Sequence, residues 1–333
     1  MTRRFRNPKH KRKECEPMKI VAFGHALPKR SITNAELIRF LDTSDEWIQT
    51  HTGIESRRVL TGKETLSGLG AKAAKMALDR AGLKASEIDY ILCSTTRGEM
   101  SFPATSCLIQ EKLGASCPCL DVNAGCSGFV YALDVADGLL STGRVRRVLV
   151  VCAEQVSRFT DWTDRSTCVL FGDAAGAAVC EAGEGLRAVR VTAEGDAKPL
   201  HGWPSGGNCP FDDRIPAEQP LYMNGQEIFK FAVTHSCHDI ETVMEASGLT
   251  AETVDYFVLH QANRRILDAA RARLKQPAEK FPMNITTHGN TSSACIPVLL
   301  SEMVEDGRLQ KGQTLVLSAF GAGLTTGAAV LQY

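Results

Sequence analysis

AGLKASEIDYIL at residues 81–92 and SGLTAETVDYFV at residues 247–258 are two copies of one stretch, and their match decides the architecture. Gly82 and Gly248, Leu83 and Leu249, Ala85 and Ala251, Asp89 and Asp255, and Tyr90 and Tyr256 share one register, 166 residues apart in a chain of 333. Each copy follows an amphipathic helix pattern, over 65–81 and 226–247, and runs into an apolar strand, over 90–94 and 256–260. The match resumes downstream, where 121–151 (DVNAGCSGF to STGRVRRVLVV) lines up with 284–317 (NITTHGNTS to EDGRLQKGQTLVL). Gly125 then stands opposite Gly289, Gly143-Arg144 opposite Gly307-Arg308, and Cys126 opposite Asn290.

Strands alternating with helices at this spacing imply βαβ units and buried sheets, and the duplication implies two similar halves packed face to face. The fold class is α/β with pseudo-twofold halves. FGDAAGAAVCEAG at 171–183 reads as a closing strand and loop and LRAVRV at 186–191 as a new strand, which places the halves at 18–184 and 185–333.

A chain of this length buries a substantial core without disulfides or metals. Its 44% hydrophobic and 23% charged content is that of a water-soluble globular protein, and no apolar run approaches the roughly 20 residues needed to span a bilayer. Net charge is zero, but residues 1–17 hold seven Lys/Arg against two Glu, so the remainder carries −5. A mildly acidic body argues against nucleic-acid binding. The basic segment 1–17 has no apolar stretch behind it and reads as a disordered extension rather than a secretory signal. Twelve cysteines without such a signal read as reduced thiols of a cytoplasmic protein. Cys117 and Cys119, and the cluster of His235, Cys237 and His238, lack the paired spacing of a zinc site, so no metal is expected.

Open α/β sheets carry their chemistry beyond the carboxyl ends of strands, and three reactive side chains fall at such places. Cys126 follows CLDV and opens the helical stretch SGFVYALDVADGLL. His260 closes VDYFVLH, and Asn290 lies between NITTHG and TSSACIPVLL. A cysteine at a helix N-terminus faces amide N–H groups and the positive end of the helix dipole, which favour thiolate and hence attack on a thioester. Gly125 and Gly128 let the backbone turn there and let a substrate approach. Most of the other cysteines read as small core residues. His260, with Gln261 and Asn263, arrives as the apolar strand stops, where side chains can face a pocket. Asn290 could simply cap the following helix, but its pseudo-symmetry with Cys126 raises it above that role.

Cys, His and Asn in this order also occur in papain-like proteases, and the 134 residues from Cys126 to His260 fit that spacing. The protease signature C-G-[SA]-C-[WY] is absent around Cys126, however, and the half-chain duplication has no place in that reading.

Six blocks settle the comparison: LDTSDEWIQTHTGIESRR (41–58), DVNAGCSGFVYAL (121–133), TDRSTCVLFGDAAGAAV (163–179), LHQANRRI (259–266), HGNTSSACIP (288–297) and AFGAGLTTGAA (319–329). From about Met18 to Tyr333 the chain resembles β-ketoacyl-acyl carrier protein synthase III of the thiolase superfamily. The resemblance implies a five-layered αβαβα sandwich made by duplication, and a homodimer. It implies that Cys126 is the nucleophile, that His260 and Asn290 assist decarboxylation of malonyl-acyl carrier protein, and that the backbone N–H groups of Cys126 and Gly323 form an oxyanion hole. Acyl-CoA is implied as a substrate, with no permanently bound cofactor and no nucleic-acid or membrane partner.

By the same resemblance Trp47 and Arg165 contact the adenine end of coenzyme A, and Gln226 and Asn263 line the pantetheine channel. Phe102, reached across the dimer, limits acyl-primer length. Lys230, Arg264, Arg265 and Arg273 could present a basic patch to an acidic carrier protein, Arg265 being the family's usual position. Two departures stand out: His51 replaces the arginine of the family's T-R-T-G, and Gln226 replaces an asparagine. Both bear on coenzyme A affinity or acyl-donor choice, because arginine and histidine differ in charge and donor geometry. A condensing enzyme of secondary metabolism and a noncatalytic carrier-protein-binding module are the other readings open to this fold.

Overall fold

The computed structural model describes residues 17–202 and 221–333, so all of the basic extension but Pro17 lies outside the described residues. The first half runs β1 (Met18–Ala26), β2 (Arg30–Thr33), α1 (Asn34–Leu37), α2 (Asp45–Thr52), β3 (Ser56–Val59), α3 (Leu66–Ala81), β4 (Tyr90–Ser94), α4 (Thr105–Leu113), β5 (Cys119–Val122), α5 (Gly128–Ser141), β6 (Arg147–Gln155) and β7 (Asp173–Ala182). The second runs β8 (Leu186–Asp196), β9 (Leu200–His201), β10 (Tyr222–Met223), α6 (Gly225–Ala246), β11 (Tyr256–Leu259), α7 (Arg264–Leu274), α8 (Ile285–His288), α9 (Cys295–Glu305), β12 (Thr314–Gly321) and β13 (Gly323–Gln332).

The two large sheets carry the same wiring. In the order β1-β7-β6-β4-β5, β4 is parallel to β6, β6 antiparallel to β7 and β7 antiparallel to β1. In the order β11-β12-β13-β8, β11 is parallel to β12, β12 antiparallel to β13 and β13 antiparallel to β8. The repeated residues do the same work in both copies. Gly82 and Gly248, at φ 67° and 66°, follow the long helices α3 and α6 in the left-handed region where a side chain is disfavoured. Asp89 accepts the Arg147 N–H at 3.0 Å and Asp255 accepts the Thr314 N–H at 2.7 Å, each tying the start of one strand to the start of its parallel neighbour.

Three apolar cores set the layering. Helices α5 and α9 lie between the sheets, where Phe129, Leu133, Val298 and Leu299 meet Leu92 and Val150 of one sheet and Leu315 and Leu317 of the other. Helix α3 covers the outer face of the first sheet through Leu69, Ala73 and Ala77. Helices α6 and α7 cover the outer face of the second through Ile240, Val243, Leu267 and Ala270. The result is a five-layered αβαβα sandwich.

Three boundaries beside the candidate reactive residues differ from the sequence reading. Helix α5 begins at Gly128 rather than at Cys126, because Gly125 at φ 55° turns the chain and the Gly128 N–H bonds the Gly125 carbonyl. Strand β11 ends at Leu259. Beyond Asn290, a 3-10 turn at Ser292–Ala294 precedes α9.

Candidate active site

Cys126, His260 and Asn290 come together on one cavity of about 1530 Å³. Each stands just beyond an element of the buried layers, Cys126 ahead of α5, His260 after β11 and Asn290 ahead of α9. The strand turn at 321–323 closes over the cysteine. A Cβ built on Gly321 would lie 2.5 Å from the Cys126 amide nitrogen, and one on Gly125 would lie 2.9 Å from that of Ala322, so both positions depend on glycine. Gly323 lines the same cavity.

Cys126 is partly open to the cavity, but its thiol is not the thiolate that a helix N-terminus suggests. Burial pushes it up to about 12; the nearby Ser292 side chain opposes this rise and the charge of Glu154 adds to it. The resting thiol at neutral pH is therefore S–H, because the helix begins two residues later while the protein around the sulfur disfavours the charged form.

His260 is 2% exposed and burial holds its imidazole down at about 3, so it is neutral throughout the working range. Its Nδ1 lies 2.9 Å from the Cys295 Sγ. Burial raises the Cys295 thiol well above the ordinary range, so this sulfur keeps its proton. It accepts the Gln261 N–H at 3.4 Å, and its own hydrogen is available to Nδ1. With the thiol as donor to Nδ1, Nε2 carries the hydrogen and is the ring's donor. Phe320 meets the imidazole edge-on at 5.2 Å between ring centroids and holds its plane.

Asn290 is 6% exposed, and its backbone is pinned on both sides, N–H to the Leu170 carbonyl at 2.8 Å and carbonyl to the Gly172 N–H at 3.0 Å. Its Oδ1 accepts the Ser292 N–H at 2.9 Å. With the oxygen engaged by the following turn, the Nδ2 hydrogens are the group left to face a substrate. The capping role and the pocket role thus use opposite ends of one amide.

Farther from the thiol, Trp47, Gln226, Asn263 and Arg265 line the cavity, with Trp47 half-buried on α2. The Arg165 guanidinium stands 5.6 Å over the Trp47 ring and donates to the Asp42 carbonyl at 2.6 Å. His51 stacks on the indole with centroids 4.4 Å apart, and its Nδ1–H donates to the Trp47 carbonyl at 2.8 Å. Asn263 caps α7 by accepting the Arg265 N–H and donates to the His51 carbonyl at 3.0 Å. Arg165, Phe102, Lys230, Arg264 and Arg273 are exposed and are not among the cavity's lining residues. Phe102 is 85% exposed, so within one chain it is neither core nor pocket wall. Arg264 packs beside Gly53 and sits 3.7 Å from Asp268, while Arg265 lies over the Phe229 ring at the cavity.

Sequence reasoning missed Cys295, Ser292 and Glu154. Ser292 and Cys295 lie inside the block HGNTSSACIP, but a serine beside Asn290, a cysteine in an apolar helix and a glutamate near the end of an apolar strand gain a role only from what the fold sets beside them.

The family model of the 3-oxoacyl-[acyl-carrier-protein (ACP)] synthase III C-terminal region matches residues 244–333, and that of 3-oxoacyl-[acyl-carrier-protein (ACP)] synthase III matches 120–196. The β-ketoacyl-[acyl-carrier-protein] synthase III of Xanthomonas campestris is 43% identical over 318 residues, which span 95% of this chain and 98% of the relative. The chain belongs to the β-ketoacyl-[acyl-carrier-protein] synthase III family. The synthase III of Rhizorhabdus wittichii is 44% identical over 94% of this chain and 98% of its own. Among solved synthase III structures, that from Aquifex aeolicus superposes with a TM-score of 0.88 at 41% identity, covering 95% of this chain and 100% of that one. The priming β-ketosynthase of the R1128 polyketide biosynthetic pathway superposes with a TM-score of 0.91 at 33% identity, covering 98% of both chains.

Proposed function

We propose that this chain joins an acyl group from acyl-CoA to malonyl-acyl carrier protein by decarboxylative condensation, giving 3-oxoacyl-acyl carrier protein and opening fatty-acid synthesis. The observation that carries the reading is the convergence of Cys126, His260 and Asn290 on one cavity in a synthase III chain.

In the first half-reaction the Cys126 sulfur attacks the acyl-CoA carbonyl. The N–H groups of Cys126 and Gly323 receive the oxyanion, an effect worth about 2.7–4 kcal/mol per donor. The carbon–sulfur bond to coenzyme A then breaks, and the proton from Cys126 leaves with the departing thiol. In the second, malonyl thioester binds with its carbonyl oxygen against the His260 Nε2–H and the Asn290 Nδ2–H. Loss of carbon dioxide sends the carbon–carbon electron pair into an enolate, which these two donors stabilise. The enolate carbon attacks the acyl-cysteine, and the Cys126 sulfur leaves and regains a proton. A neutral imidazole suits this role, since it must donate to an oxyanion and transfers no proton.

Trp47 and Arg165 contact the adenine end of coenzyme A, Gln226 and Asn263 flank the pantetheine, and His51 takes the place of an arginine there. Arg265, with Lys230, Arg264 and Arg273 on neighbouring exposed faces, receives the acidic carrier protein. The enzyme acts as a cytoplasmic homodimer in which the protruding Phe102 of one subunit bounds the acyl pocket of the other. No helix among the described residues is long and apolar enough to cross a membrane. Similarity to the R1128 priming β-ketosynthase supports a second reading, in which the same chemistry serves a polyketide carrier protein.

Intact-protein mass after incubation with a panel of acyl-CoAs tests the first half-reaction. An acyl-sized increment in the wild type and none in Cys126→Ser is expected, and the donor that labels most fully names the primer class. Labelling that persists in Cys126→Ser would remove the nucleophile assignment.

A further inference from the structure

Glu154, the penultimate residue of strand β6, has 0% exposure and carries a carboxylate that the reaction described above does not use. Five neutral donors surround it. Oε2 accepts the Thr96 N–H at 3.0 Å and the Thr96 hydroxyl at 2.6 Å. Oε1 accepts the Ser292 hydroxyl at 3.1 Å, the Ser293 hydroxyl at 2.6 Å and the Ser293 N–H at 3.4 Å. Thr96 belongs to the half that carries Cys126, and Ser292 and Ser293 belong to the half that carries Asn290. The carboxylate is the joint between them.

A second observation gives that joint a purpose. Ser292 sits at φ 52°, a left-handed backbone that a residue with a side chain holds only when its surroundings impose it. In that conformation its N–H reaches the Asn290 Oδ1 at 2.9 Å, which is the bond that leaves Nδ2 for the substrate. The Ser292 hydroxyl on Glu154 anchors the same residue from its other side. A carboxylate is expensive to bury, and if the two halves needed only adhesion, apolar side chains would supply it at lower cost.

We propose that Glu154 is a positioning residue for the decarboxylating half-reaction: acting through Ser292, it fixes the amide orientation of Asn290. This rests on the condensing function proposed above. A purely structural glutamate would lower both half-reactions together when replaced, whereas a residue that aims Asn290 lowers the malonyl step more than acyl transfer.

The test measures the two half-reactions separately on the full chain, acylation by intact mass over time and carbon dioxide release from malonyl-acyl carrier protein, in wild type, E154Q, S292A and the double variant. Carbon dioxide release is expected to fall about tenfold in each single variant and by the same factor in the double, since both remove one link, and to fall further than acylation does in every variant. Parallel loss of both half-reactions, or a double variant that falls by the product of the singles, would overturn the proposal. If E154Q does not fold, S292A decides alone, and full carbon dioxide release in folded S292A sinks it. A wild type that neither acylates nor releases carbon dioxide defeats the functional reading itself, a result distinct from any pattern among the variants.

Discussion

Cys126 shows how two influences on one sulfur are ranked by distance. The amide dipoles of α5 begin at Gly128, two residues after Cys126, whereas the surrounding protein acts on the sulfur directly and pushes it up to about 12. Alkylation of Cys126 by iodoacetamide should therefore rise about tenfold per pH unit from 7 to 9 without a plateau, because thiolate is the reactive form. A rate already level by pH 7 would mean that the dipole wins. The neighbouring imidazole depends on Cys295 in the same direct way. Cys295→Ala removes the donor to Nδ1 and lets the ring proton shift there, so carbon dioxide release should drop about tenfold, while Cys295→Ser keeps a donor and most of the rate. Equal rates in the two variants would show that the sulfur does not set the tautomer.

Between elements, the buried Arg57 of β3 holds the segment around Val169 to the β2 region. Its guanidinium donates to the Asn34 Oδ1 at 2.8 Å, the Val169 carbonyl at 2.7 Å and the Ile32 carbonyl at 3.3 Å. Burial lowers it to about 10, so it remains charged at neutral pH, and Asn34 in turn donates to Asp45 at 2.8 Å at the start of α2. Arg57→Leu leaves these oxygens buried without a donor and should cost about 3 kcal/mol, read as a lower denaturant midpoint at unchanged slope. A cost below about 0.5 kcal/mol would mean that water replaces the guanidinium. The helix and strand pattern around the duplicated stretch was legible because Gly82 and Gly248 act locally, at the turns after the helices, whereas the partners of Asp89 and Asp255, Arg147 and Thr314, lie on other strands. Arg57 was not legible, since an arginine between two polar residues reads as a surface charge until the chain folds over it.

Across the molecule, the site lies where the two halves meet, and the neutral histidine set there links folding to pH. An ordinary histidine takes up a proton near 6.5. His260 is held at about 3 in the native state, so below about 6.5 the unfolded chain binds a proton that the folded chain refuses. Stability is therefore unaffected by this group above that range and is lost as pH falls from about 6.5 toward 3, by about 1.4 kcal/mol per unit. Glu302, held below the usual carboxylate range despite burial by its hydrogen bond with His288, adds loss in the same direction as it protonates. Denaturation of wild type and His260→Gln at pH 7, 6 and 5 should give a steeper loss in the wild type by about one proton. Parallel slopes would show that the site opens to water in the native state.

The sequence by itself determined the duplication, the alternation of helix and strand and the placing of three candidate reactive side chains at the ends of elements. These follow from periodicity, glycine turns and strand ends, all carried by residues near one another in the chain. It also placed Cys126 and Asn290 at equivalent positions before any coordinates bore on them. Tertiary structure alone decided the protonation of the thiol, the tautomer of His260, the orientation of the Asn290 amide and the place of Glu154 between the halves. Each of these depends on burial or on a partner 35 to 138 residues away, or on the turn at Ser292 whose backbone the fold constrains. Charge state and donor direction are set by neighbours in space, which no local pattern specifies.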